Sequence, residues 1–205
     1  ISSEYYEELF IFIPFISSVF ILISTIAYPV FLPSLINLNL LLGSSIGSLI
    51  LLSVPLVLMS ALNPILISIM KLKNNQSKDS HSGFVFFIST LGSVFGVIFT
   101  ALIIVPNFTN FSSYILNALF LIIFNLIIYF LIGYNSFKKL KKIFIFLNIF
   151  LFLILIALYY YKQSYLSYFT STKDKQDNEY VVIYENPSFY GNLKVVGFKP
   201  NQSND

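Results

Sequence analysis

Side chains able to carry acid-base, nucleophilic or metal chemistry are few in this chain and stand apart. Its one histidine, His81, lies in a polar stretch from Lys73 to Gly83 beside Lys78 and Asp79. A metal site needs several ligands converging, and no second histidine or acidic cluster accompanies it, so His81 reads as a solvated loop residue. Cysteine is absent, which excludes a disulfide framework and thiolate ligation. No nucleophile elbow, Walker-type phosphate loop or paired carboxylate interrupts the long apolar stretches. Intramembrane charges usually mark proton or ion pathways, so their lack disfavours a pump or a substrate-conducting transporter unit. No cofactor is expected.

The polar groups inside the apolar stretches are hydroxyls and amides: Ser53, Ser60, Asn63, Ser68, Ser89, Thr90, Thr100, Asn117, Asn125 and Asn148. In an apolar helix such groups bond to the preceding turn or to a neighbouring helix, for about 1 kcal/mol each. Two small-xxx-small patterns, Gly43 to Gly47 and Gly92 to Gly96, allow backbones to approach closely. Such spacing serves either packing within one bundle or a face shared with a second subunit. Contact of this kind is the chemistry the sequence offers most clearly.

The elements that must position these residues follow from composition. Hydrophobic residues make up 57% of the 205, charged residues 10%, and mean hydropathy is +0.81, whereas soluble domains carry roughly 25% charged residues. All twelve basic residues are Lys, Trp is absent, and the abundance of Phe, Ile, Asn and Lys fits codon choice in an AT-rich genome. A net charge of +3 without a basic, aromatic-interleaved stripe excludes nucleic-acid binding.

A helix crossing about 30 Å of hydrocarbon needs about 20 apolar residues. Five stretches qualify, none containing a charge: about Leu9 to Leu32, Ser45 to Met70, Phe84 to Val105, Ser112 to Tyr134 and Ile143 to Tyr161. The expected fold is an all-α polytopic membrane bundle of about five transmembrane helices with a short C-terminal β-hairpin. Prolines 14, 29, 55 and 64 are expected to kink the first two spans, chiefly at Pro55 and Pro64. The apolar segment Pro33 to Gly43 is expected to lie along the membrane interface or to form a short helix. Lys71, Lys73 and Lys78 follow the second span, and Lys138, Lys139, Lys141 and Lys142 precede the fifth, which puts both clusters on one face. The positive-inside rule makes that face cytoplasmic, in a bacterial inner membrane, and sends the turn Pro106 to Phe111 and the tail outside. On that outer face Asn107-Phe-Thr109 and Asn201-Gln-Ser203 match glycosylation acceptors.

Residues 1–161 therefore form the membrane domain, 162–179 a polar linker and 180–205 the tail. There the β-prone runs Tyr180 to Tyr184 and Leu193 to Phe198 flank turn chemistry at Asn186 to Gly191. A lone hairpin is marginal in water, so it should pack on something, with Val181, Ile183, Val195 and Phe198 as contact residues.

Three stretches, in order over about residues 54–198, resemble the membrane-embedded spermidine synthase-like proteins, in which a helical domain precedes an aminopropyltransferase. They are Val54 to Pro64, with two prolines, a methionine and a small residue on one helix; Gly83 to Gly96 followed by Pro106; and Tyr184 to Val195, similar to the strand and turn that open the synthase domain. Ser60 stands where the family has glycine, Ser89 where it has asparagine, and Gly191 where the enzymes carry a substrate-contacting glutamine. Tyr190 matches a substrate-contacting position. The resemblance implies that the nucleotide loop and catalytic aspartate would lie beyond Asp205, and that these residues are a middle portion of a longer protein or a shortened relative. It also implies a cytosolic catalytic domain, opposite to the side the Lys clusters assign to the tail; the seven Lys are given precedence. The leading expectation is a non-catalytic membrane anchor or interaction subunit, partnered by the bilayer and by other membrane subunits or a second copy. The alternatives are the anchor of a downstream aminopropyltransferase and, third, a transporter unit.

Overall fold

The computed structural model describes residues 3–35, 38–73, 78–133, 141–170, 172–173, 179–188 and 191–199. Helices α1 (Ser3–Ser34), α2 (Leu40–Ser60), α3 (Leu62–Lys73) and α4 (Lys78–Phe99) come first. A π-type turn (Thr100–Ile104), α5 (Val105–Asn107), α6 (Asn110–Ile128) and a second π-type turn (Tyr129–Gly133) follow. Then come α7 (Lys141–Tyr160), α8 (Lys162–Thr170) and strands β1 (Thr172–Lys173), β2 (Glu179–Ser188) and β3 (Gly191–Lys199). Five helical stretches are long and apolar enough to cross a membrane: Tyr5–Leu32, Leu41–Leu72, Ser82–Asn107, Asn110–Leu131 and Ile143–Tyr160. Helix dominates because backbone amides in an apolar medium must be satisfied within their own segment.

The central strut is α1, which packs against α2, α3, α6, α7 and α8. Two core clusters lie along it. One joins Ile21 and Leu22 of α1 to Phe111, Ile115, Ala118 and Ile122 of α6 and Leu151 and Leu155 of α7. The other, toward the start of α1, joins Phe10 and Ile11 to Ile69 of α3, Ile128 at the end of α6, Tyr129 just after it, and Phe144 of α7. Phe111, Ile115, Ala118, Ile122, Asn125 and Tyr129 are all buried, spaced alternately four and three apart. That spacing keeps one narrow face of a helix against its neighbours. Thr109 caps α6 by accepting from the Ser112 amide at 3.4 Å.

Several boundaries differ from the sequence expectation. Helix α1 is continuous through Pro14 and Pro29, and of the apolar segment Pro33 to Gly43 both ends are drawn into helices, Pro33 and Ser34 into α1 and Leu40 to Gly43 into α2. Helix α2 runs through Pro55, and the break in the second span falls at Ala61. Pro64 offers no N–H to the carbonyl four residues earlier, so the helix reorganises one turn ahead of it. The Ala61 amide is shared there between the Val57 and Leu58 carbonyls. Similarly, Pro106 leaves the preceding turn without its usual donor, and the Val105 amide reaches back five residues to Thr100. Residues 162–179 are no plain linker: they contain α8 and β1, and β1 adds to an antiparallel sheet of order β1-β2-β3. His81, expected in a loop, lies in the opening turns of α4.

In the hairpin Glu179 pairs with Lys199 and Ser188 with Gly191, so Pro187 belongs to the strand and the connection is tighter than Asn186 to Gly191. Between Val182 and Tyr184 the register slips, leaving Ile183 as an extra, unpaired residue. Sides alternate along a strand and flip across the bulge. In register Val181 pairs with Gly197, Phe198 with Tyr180 and Val195 with Tyr184, while Ile183 has no partner across the strands.

Candidate helix-packing surface

The two glycine pairs meet different surroundings. A Cβ at Gly43 would stand 3.0 Å from the Leu35 carbonyl oxygen, and one at Gly47 would stand 2.8 Å from Leu32 Cδ2. Both are buried, and their lack of a side chain lets the start of α2 fold back against the end of α1. At Gly92 and Gly96 nothing lies within 4 Å of where a Cβ would be. Packing inside the same bundle is therefore not what these two glycines do. Helix α4 touches the bundle through α3, and most of its length is bare: Phe95 is 70% exposed and Val97 69%. Beside Gly96 a shallow groove is bordered by Ser93, Val97, Thr100, Ala101 and Val105.

One polar contact joins α4 to α3, where Val85 of α4 is also buried. The Ser89 hydroxyl donates to Asn63 Oδ1 at 3.1 Å, joining two groups that the sequence shows only as isolated polar residues. A second polar pair lies deeper, where Asn125 and Asn148 are both 0% exposed. Asn125 Nδ2 donates to Asn148 Oδ1 at 3.1 Å, and Asn148 Nδ2 donates to the Phe144 carbonyl at 2.9 Å, clasping α6 to α7. The Phe144 carbonyl demands a donor, which fixes the orientation of the Asn148 amide and hence that of Asn125. Asn125 Oδ1 is left buried without a partner.

Around Pro55 the sequence signal was incomplete. Proline has no amide hydrogen, so the Leu51 carbonyl loses its donor inside α2. The buried Ser24 of α1 supplies it, its hydroxyl donating to the Leu51 carbonyl at 2.7 Å. A longer bond, 3.4 Å, runs from the Ser17 hydroxyl to the Pro55 carbonyl. Ser17, Ser24 and Thr25 were missed as packing residues; small polar residues on a helix facing a proline-bearing helix were the available signal. Glu7, near the start of the first apolar helix, is only 6% exposed.

At the other end of the bundle, where α1 finishes and α6 begins, β2 rests against α5 and α8. The Tyr165 hydroxyl of α8 donates to the Ile26 carbonyl at 2.6 Å, and the Lys162 ammonium donates to Ser112 Oγ at 3.2 Å. Burial pushes the Tyr165 hydroxyl above its ordinary pKa. Within the hairpin Lys194 and Glu185 pair at 3.6 Å. Ile183 and Val195 are 69% and 54% exposed, so they are not what holds the hairpin to the bundle. The side chains of Val181 and Phe198, and Tyr190 altogether, lie outside the described residues, as do Lys138, Lys139 and Asn201 to Ser203. Among the described residues no three His, Asp or Glu side chains stand together to hold a metal. No protein-family model, curated protein or solved structure matches this chain.

Proposed function

We propose that this chain is an integral membrane protein acting by helix packing, as an anchor or interaction subunit whose α4 receives a transmembrane helix of a partner subunit or a second copy along Gly92 and Gly96. One observation carries the reading: α4 is a span-length helix joined to its own bundle chiefly along α3 among the described residues, with its small-residue stripe open. A partner backbone approaching that stripe gains close van der Waals contact that lipid chains supply less well. On this reading the Lys71 to Lys78 and Lys138 to Lys142 segments face the cytoplasm across a bacterial inner membrane, and α8 and the hairpin lie outside.

Because the chain has no cysteine, Ser93→Cys introduces a unique thiol. Oxidative crosslinking in native membranes should give one adduct from Ser93→Cys, lost when Gly96→Leu is added. Absence of any adduct at positions 92, 93 and 96, with an unchanged detergent-solubilised mass, would exclude the contact. Membrane-impermeant labelling of Asn75→Cys from the cytoplasmic side and of Asn107→Cys from the other checks the orientation.

A second reading, the anchor of an aminopropyltransferase, draws on the resemblance to spermidine synthase-like proteins and on one structural feature. Strand β3 is the edge of the sheet, with Leu193, Val195 and Val196 exposed, and an exposed apolar edge suits further strands. Sequencing the native polypeptide decides it: a glycine-rich nucleotide loop and acidic motif after Asp205 favour this reading, and termination there removes it.

A further inference from the structure

Between α2 and α6 two cavities of about 300 and 400 Å³ share Leu52, Tyr114 and Asn117, and so form one crevice. It exists because α2 and α6 each pack mainly on α1, which floors it with Ser17, Ile21 and Tyr28. The two ends differ in chemistry. One is walled by Pro55, Leu56, Met59, Phe120 and Leu121, and the other by Tyr28, Asn110, Ser113, Tyr114 and Asn117. The polar end stands at the first turn of α6, and the apolar end is near the helix middle.

Depth and polarity together match one leaflet of a bilayer. From Asn110 to Leu121 the rise is about 16 Å, close to half of a hydrocarbon core of about 30 Å. A lipid lying there would have its chain beside Met59 and Phe120 and its glycerol level beside Asn117 and Ser113. Charge narrows the headgroup. Among the described residues no charged side chain lines the crevice, and the Glu185 carboxylate of the hairpin is not part of its wall. Lys194 is paired with that carboxylate, and Lys162 is engaged with Ser112, whose buried side chain is on another face of α6. A wall of hydroxyls and amides, without a charged side chain and with the hairpin carboxylate already neutralised by Lys194, suits an uncharged, hydroxyl-bearing head.

We propose that this crevice binds an uncharged glycerolipid of the diacylglycerol class, one acyl chain running between α2 and α6 and the glycerol hydroxyl and esters bonded to Asn117 and Ser113. The site rests on the membrane location proposed above and is independent of the α4 contact.

Native mass spectrometry of the detergent-purified protein, titrated with dioleoylglycerol and with phosphatidylglycerol and phosphatidylcholine of the same chains, is the test. The expected result is a single dioleoylglycerol adduct, retained about tenfold more tightly than either phospholipid. Met59→Trp, which fills the apolar end, should lower retention about tenfold, while Leu153→Trp on the exposed face of α7 leaves it unchanged. The milder Asn117→Ala, on an exposed residue, should narrow the preference for dioleoylglycerol without altering thermal stability. Equal or tighter phosphatidylglycerol binding overturns the proposal, as do multiple non-stoichiometric adducts indifferent to Met59→Trp. A protein released from membranes without detergent would sink the membrane location; one that needs detergent yet retains no diacylglycerol sinks the crevice alone.

Discussion

Replacing Ser24 by alanine tests how this bundle tolerates a proline inside a span. Its hydroxyl donates to the Leu51 carbonyl at 2.7 Å, the carbonyl that Pro55 deprives of a helical donor. With Ser24 gone, that carbonyl is buried without a strong partner, since the Ser17 hydroxyl engages the Pro55 carbonyl instead, at 3.4 Å. Interhelical bonds in membranes average about 0.6 kcal/mol and reach about 1.7, and stranding a buried acceptor costs about 1–3. A loss of about 1 to 1.5 kcal/mol is therefore expected, roughly a five- to twelvefold shift in the unfolding equilibrium. The sharper measurement is a double-mutant cycle. In a Pro55→Ala background the alanine amide can bond the Leu51 carbonyl within α2, so Ser24→Ala should cost about 1 kcal/mol less there. Reversible unfolding in mixed micelles, followed by circular dichroism, reads all four corners. An identical cost of Ser24→Ala in both backgrounds would refute the idea that the hydroxyl stands in for the missing proline donor.

Three further outcomes follow from the same geometry. Asn125→Leu alone should destabilise by about 1–2 kcal/mol in the same assay, because it strands Asn148 Oδ1, while the paired change Asn125→Leu with Asn148→Leu should cost less than the sum. Gly47→Leu, which must displace Leu32, should lower the stability of the isolated chain by about 1–3 kcal/mol, whereas Gly92→Leu should leave that stability within about 0.5 kcal/mol and act only on association measured by sedimentation. Tyr165 has its pKa raised by burial, so its neutral form contributes stability that is complete below about pH 10 and lost as pH rises through the folded-state value; Tyr165→Phe should flatten that alkaline decline in a melting-temperature profile.

Helix as the dominant state, five span-length segments, and a β-prone tail were all legible from composition and run length. An apolar run of about 20 residues has one economical way of satisfying its amides in hydrocarbon, so length alone decides the element. The polar residues within spans are also visible in the sequence, Asn63, Ser89, Asn125 and Asn148 among them, but nothing there pairs Ser89 with Asn63 or Asn125 with Asn148. Hydropathy could not choose the partner or the face, because every side of an apolar helix resembles every other. The alternating four- and three-residue stripe from Phe111 to Tyr129 is therefore visible only once burial is seen. Two identical glycine spacings likewise came out opposite, Gly43 and Gly47 pressed on Leu35 and Leu32, Gly92 and Gly96 facing open space. Sequence determines that a backbone can be approached; only the tertiary arrangement decides whether anything in the same chain approaches it. Likewise Pro55 announced a missing hydrogen bond, and it took the packing of α1 against α2 to bring the Ser24 hydroxyl to it. A proline acts through its own backbone, which sequence records, but the donor that compensates comes from 27 residues away, which sequence does not.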